Sequence, residues 1–178
     1  TTELVPAIVD PDVIWACTTC RWCERACPLD ISYVDKLVEM RRNLVLEKAE
    51  FPEEAQPAFR GYEVNGNPWQ LPPEERGSWA ADLDVPLASE AGGDFEYLFF
   101  VGSPGSYDDH GKKVSRALVK ILQAAGVKIA ILGPEEVSTG DAARRLGNEY
   151  LFQMLARQNI ETMNGYGVKK IVTNCPHA

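Results

Sequence analysis

From residue 95 onward the chain alternates short apolar runs with amphipathic stretches. Phe95–Val101, Val127–Leu132 and Val168–Thr173 are short, apolar and bounded by glycine or polar residues, which predicts buried strands. Between the first two, Lys112–Ala125 carries Val114, Leu118, Ile121 and Leu122 at helical spacing and stops at Gly126. A second helical pattern covers 141–164, interrupted near Gly147. Strand, helix, strand, helix, strand implies parallel pairing through right-handed crossovers.

The earlier part follows other rules. After an apolar patch at Val13-Ile14-Trp15, a helix is predicted from Ser32 to Lys48. Its stripe is Ile31, Val34, Leu37, Val38, Leu44 and Val45, with Ser32 and Asp35 as a capping pair. Residues 51–94 hold Pro52, Pro57, Pro68, Pro72, Pro73 and Pro86 among many acids. Proline at this density opposes both helix and strand, so an extended segment wrapping a surface is predicted, anchored by the buried rings of Trp69 and Trp79. The expected fold is α+β overall: a ferredoxin-like segment with a helix (1–50), the proline-rich connection (51–94), then a small parallel α/β unit (95–178).

The 178 residues are 45% hydrophobic and carry a net charge of −8. That supports a packed core and argues against nucleic acid as a partner, since an acidic surface repels phosphate. No run approaches the ~18 apolar residues of a membrane-spanning helix, and no signal peptide opens the chain. The chain starts at Thr1 rather than Met and stops just after an apolar run, so it is expected to be a piece of a longer protein.

Four of the five cysteines fall between residues 17 and 27. The run Cys17-Thr-Thr-Cys20-Arg-Trp-Cys23-Glu-Arg-Ala-Cys27-Pro28 has the C-x2-C-x2-C-x3-C-P spacing of bacterial ferredoxins, whose soft thiolates hold a 4Fe–4S cluster. A structural zinc site would separate two cysteine pairs by a dozen or more residues, and a redox Cys-x-x-Cys pair would leave two cysteines unused. Cys17, Cys20, Cys23 and Cys27 are therefore the expected cofactor ligands. In two-cluster ferredoxins the last cysteine of each run serves the other cluster. No second run exists here, so either Cys27 closes its own cube or a run outside the chain completes the pairing. Cys27 precedes Pro28 and opens onto a helix, which favours the second arrangement. It implies one or two clusters, the second shared with an upstream segment or partner chain and lying on the order of 10 Å away.

Asp12-Val-Ile-Trp-Ala-Cys17-Thr-Thr-Cys20 and Cys27-Pro28-Leu-Asp-Ile31 resemble the second ferredoxin motif of the heterodisulfide reductase-related iron–sulfur oxidoreductases. That family includes the glycolate oxidase iron–sulfur subunit and membrane-bound flavoprotein:quinone reductases. The resemblance extends through Met40-Arg-Arg42, Asn67-Pro-Trp69 and Thr139-Gly-Asp-Ala-Ala-Arg-Arg-Leu-Gly-Asn-Glu-Tyr-Leu-Phe152. It implies an upstream ferredoxin motif, in some members a haem-binding membrane domain, and two cysteine-rich repeats that bind a further cluster. This chain would hold the first repeat, truncated at its end. The implied function is electron transfer in a respiratory oxidoreductase, from a flavin-containing donor such as electron-transfer flavoprotein toward a quinone, a membrane haem domain or a disulfide-type acceptor. The implied location is the cytoplasmic side of the cell membrane, reached through parts outside the chain. The alternative is a non-catalytic assembly module whose cluster is structural.

The resemblance also implies cysteine ligands where this chain has Ser103, Ser138, Cys175 and Ala178. Serine is a poor iron ligand and alanine none, so the repeat is expected to hold no cluster of its own, with Cys175 left as an isolated thiol. No residue stands out as catalytic. Gly102-x-x-Gly105 lacks nucleotide-loop spacing and reads as a turn. His110 and His177 read as surface or capping residues, and the Arg41-Arg42 and Lys112-Lys113 pairs as solvated faces.

Overall fold

The computed structural model describes residues 3–178. Three parallel strands form one sheet: β1 (Tyr97–Phe100), β2 (Ile129–Ala130) and β3 (Ile171–Thr173), in the order β2-β1-β3. Tyr97 and Leu98 pair with Ile129 and Ala130, while Leu98, Phe99 and Phe100 pair with Ile171, Val172 and Thr173. The strands fall within the predicted runs but are shorter, and the α+β class is as the pattern predicts. The central strand is the most apolar: Leu98 and Phe99 are fully buried.

Before the sheet come α1 (Pro11–Ala16), the single turn α2 (Trp22–Arg25), α3 (Val34–Arg42) and α4 (Ala55–Asn65). After β1 follow α5 (Gly102–Tyr107) and α6 (Asp109–Ala124); after β2, α7 (Asp141–Arg145) and α8 (Glu149–Gly165). Asp108 caps α6 through Gly111 N, and Asn148 caps α8 through Leu151 N. The interruption predicted near Gly147 is the corner between α7 and α8, where Gly147 adopts φ +91°. A side chain there would strike backbone: a Cβ would lie 2.5 Å from Arg41 C.

The helix predicted over 32–48 is α3, continued by a wider π turn at Asn43–Glu47. Ser32 does not cap it. The cap is Glu24, whose Oε1 accepts from Tyr33 N at 2.8 Å and Val34 N at 2.7 Å. Of the predicted stripe, Val34, Leu44 and Val45 are buried, but Ile31 is exposed.

The proline-rich segment is not simply extended. It contains α4 and a 3₁₀ stretch, Pro73–Ala80. Pro57 sits in the first turn of α4 and Pro73 opens the 3₁₀ stretch, positions where a missing N–H removes no helical bond. Phe59 and Tyr62 of α4 bury against Leu151 and Leu155 of α8 and Val45 beyond α3. Burying a ring of that size stabilises by about 1.5–3 kcal/mol. All three expected segments thus feed one core. Trp79 is buried edge-on to Phe99, as expected, but Trp69 remains 48% exposed, its ring centroid 6.5 Å from that of Tyr107. It lies at the rim of a surface pocket rather than in the core.

Candidate iron–sulfur centre

The loop 17–33 is shaped by unusual backbone. Thr19, Arg21 and Asp30 all lie in the left-handed region, with φ of 56°, 60° and 52°. A β-branched residue rarely adopts this conformation, so Thr19 must be held there. The reversals keep the chain returning on itself between Cys17, at the end of α1, and Cys23, on α2. All four cysteines are free thiols; Cys20 and Cys23 are exposed, Cys17 and Cys27 partly buried.

Cys17 Sγ has a hydrogen-bond donor, and donor groups stand near the other three sulfurs. Thr19 N donates to Cys17 Sγ at 3.3 Å. The Trp22 backbone N–H, and next the Thr18 hydroxyl, pull the Cys20 thiol below its usual range. The N–H groups of Ile31 and Leu29 do the same for Cys27. Tyr33 donates its hydroxyl toward Cys23, and this bond is the main reason its own pKa is pushed up to about 12. Donors stabilise the thiolate, the form that ligates metal, and tune a bound cluster. Among the described residues no three His, Cys, Asp or Glu side chains close on a single ion. A cubane asks for a different arrangement, one thiolate on each of several iron corners. The thiolates, the donors and the returning backbone fit such a group.

Two arginines brace the loop. Arg41, read from sequence as part of a solvated face, is only 3% exposed. It donates to Ile14 O at 2.7 Å, Cys17 O at 2.6 Å and Arg145 O at 2.9 Å, and lies over the Trp15 ring. Burial, the larger influence, pulls its pKa down. Arg42 is half-buried and paired with Glu149 at 2.6 Å. Arg145 reaches across from α7 to Thr19 Oγ1 at 2.9 Å. A groove of about 550 Å³ runs beside the loop, lined by Cys20, Arg21, Val38, Arg42 and Arg145 among others. Sequence reading missed these roles because Arg41 and Arg145 stand 104 residues apart, and charge alone does not distinguish a brace from a solvated face.

A second site lies at the carboxyl ends of the strands. Ser103, Ser138 and Cys175 come together in a pocket of about 220 Å³. Ala178 does not line it; it faces an apolar groove beside β3 instead. The serines are engaged: Ser103 Oγ accepts from Arg76 Nη2 at 3.2 Å, and Ser138 Oγ accepts from Gly140 N at 3.3 Å. Below them Arg76 and Glu136 form a fully buried ion pair at 3.0 Å. Glu136 also accepts from Val101 N and Gly102 N, so the Gly102–Gly105 turn spends its first N–H groups on a carboxylate of the chain itself. Cys175 packs against Gly102, where a Cβ would stand 3.1 Å from its sulfur. His177, exposed, pairs its Nδ1 with Asp141 Oδ2 at 2.8 Å, and His110 is exposed in the first turn of α6.

Residues 97–177 match the cysteine-rich domain family CCG. Over 98% of its length the chain is 48% identical to the EtfAB:quinone oxidoreductase of Syntrophomonas wolfei, covering 25% of that protein. It is 47% identical, over 99% of its length, to the probable iron–sulfur-binding oxidoreductase FadF of Bacillus subtilis, covering 26% of it. A more distant relative, at 30% identity over 92% of the chain and 39% of the relative, belongs to the dihydromethanophenazine:CoB–CoM heterodisulfide reductase of Methanosarcina barkeri. These similarities agree with the resemblance to the heterodisulfide reductase-related iron–sulfur oxidoreductases. It spans about a quarter of the length of the first two relatives. No solved structure matches it significantly. The cysteine-rich match starts at β1 and runs through the strand-end pocket, while the loop 17–33 lies outside it.

Proposed function

We propose that this chain is the electron-carrying part of a respiratory iron–sulfur oxidoreductase, holding a 4Fe–4S cluster on Cys17, Cys20 and Cys23. The observation that carries this reading is the returning loop of four free cysteines, in which the Thr19 N–H meets Cys17 Sγ and neighbouring donors lower the Cys20 and Cys27 thiols. The cluster, when bound, supplies one-electron redox chemistry. The chain's own residues hold and tune it: Tyr33 and the N–H groups of Thr19 and Trp22 direct donors at the sulfurs, and Arg41 and Arg145 fix the loop. Cys27, past α2 and met by its own N–H groups, extends toward a second cluster completed by cysteines of an upstream segment or partner chain.

Electrons would come from a flavin-containing donor such as electron-transfer flavoprotein and leave toward a quinone, a membrane haem domain or a disulfide-type acceptor. The relatives named as EtfAB:quinone oxidoreductase and heterodisulfide reductase support this choice. Quinones dissolve in membranes, which favours attachment to the cytoplasmic face through other parts of the protein; among the described residues no helix is long and apolar enough to cross one.

The test is anaerobic purification of the full-length protein, analysis of iron and acid-labile sulfide, and addition of reduced electron-transfer flavoprotein. Bleaching of the cluster absorbance, restored by a soluble quinone, is expected. Zinc alone, or a cluster that the flavoprotein cannot reduce, defeats the proposal. The second outcome favours an assembly module with a structural cluster, a reading to which the Arg76–Glu136 packing beneath the strand-end pocket lends support. Cys27→Ser should perturb a neighbouring cluster and leave the spectrum of the cluster on 17, 20 and 23 intact.

A further inference from the structure

Thr19 combines three features: left-handed backbone, 7% exposure, and an N–H aimed at Cys17 Sγ. Within the loop the Thr19 hydroxyl donates only to its neighbour, Thr18 O, at 2.7 Å, which ties Thr19 to nothing outside the loop. The hold comes from 126 residues away. Arg145 Nη1 donates to Thr19 Oγ1 at 2.9 Å and Thr19 O at 3.4 Å, while its Nε donates to Asp141 Oδ2 at 2.8 Å. Asp141 lies one turn earlier on α7, so the guanidinium is fixed on one side before it reaches the loop. The Arg145 carbonyl also accepts from Arg41, which itself holds Cys17 O. Side chain and backbone of one residue thus grip both sides of Cys17.

We infer that Arg145 is a positioning residue for electron transfer: by holding Thr19 in its left-handed conformation, the α/β unit keeps an N–H on the Cys17 thiolate and sets the reduction potential of the cluster in the loop. The inference rests on the cluster reading above. An N–H on the sulfur withdraws charge and favours the reduced cluster, as does a nearby cation. Releasing Thr19 lowers the potential. Arg145→Gln removes both hold and charge; Arg145→Lys keeps the charge but not the planar fork that spans Asp141 and Thr19. Thr19→Val keeps the branched shape and removes the hydroxyl that accepts from Arg145 and donates to Thr18 O.

The experiment is an EPR-monitored redox titration of the full-length protein, following the signal that Cys20→Ser perturbs. Arg145→Gln should shift the reduction equilibrium toward the oxidised form by about tenfold, which is ~59 mV for one electron. Arg145→Lys and Thr19→Val should shift it the same way by about threefold, roughly half that interval in potential. Arg42→Lys, which loosens a pair joining the same two regions but keeps the charge in the groove, should leave it unchanged. Arg145→Gln at the wild-type potential, full rescue by Arg145→Lys, or an equal shift from Arg42→Lys each overturns the inference. If Arg145→Gln fails to retain iron, Thr19→Val decides: a wild-type potential there overturns it. Wild-type protein without iron and sulfide would instead defeat the cluster reading itself.

Discussion

The cysteine loop and the strand-end pocket are both places where the family resemblance implies cysteine ligands, yet they are built in opposite ways. In the loop the thiols are free and partly or largely exposed, and the Thr19 N–H points at the Cys17 sulfur. At the strand ends the polar groups are spent on one another: Ser103 on Arg76, Arg76 on Glu136, Glu136 on two backbone N–H groups. A site ready for a soft metal group keeps its ligand atoms unspent and surrounds them with donors. A site that has become part of the core satisfies its own polar atoms, because burying them unpaired would be costly.

The largest expected effect tests this contrast directly. Combining Cys17→Ser, Cys20→Ser, Cys23→Ser and Cys27→Ser should abolish iron and sulfide binding by the chain, measured by elemental analysis after anaerobic reconstitution. Stoichiometric iron retained through Cys175 would erase the distinction between the two sites. Next, Glu136→Gln strands the Arg76 charge in the core and should cost about 3–5 kcal/mol of stability by denaturant unfolding. It should leave the visible spectrum of the loop cluster unchanged in whatever fraction stays folded.

Gly147→Ala probes the seam between the two regions. It places a Cβ against the Arg41 backbone at φ +91°, and a destabilisation of about 1–3 kcal/mol is expected. Since Arg41 also holds Cys17 O, the cluster should become more labile to chelators as well.

The smallest effect is a pH dependence. Asp82, clamped by Arg116 at 2.6 Å, has its pKa lowered to about 2, first by those hydrogen bonds. A carboxylate depressed on folding contributes stability that is complete above its unfolded value, near 3.8, and is lost as pH falls toward 2. Thermal scans should show that Arg116→Gln flattens the acid limb of the stability curve between about pH 4 and 2, modestly, because the pair is exposed. The loop has a counterpart in Glu24, whose carboxyl is lowered chiefly by the Val34 N–H. Glu24→Gln should fray the start of α3 and leave the strand-end region untouched, as read by hydrogen exchange.

The amino-acid sequence by itself determined the elements whose signals are local. The three apolar runs, the stop at Gly126 and the break at Gly147 each depend on residues a few positions apart, and each has its counterpart in the structure. It misled where a local rule met a position that tolerates its breach: Pro57 in a first turn hid α4, and Ser32 offered a cap that Glu24 supplies from eight residues upstream. Only the tertiary structure decided the rest. Whether Trp69 or Trp79 is buried depends on which of them meets Phe99. Whether an arginine is solvated or a brace depends on carbonyls and hydroxyls up to 126 residues away. The Ser103, Ser138 and Cys175 positions became a pocket because three parallel strands end side by side, and that proximity is a property of the sheet rather than of any segment of chain.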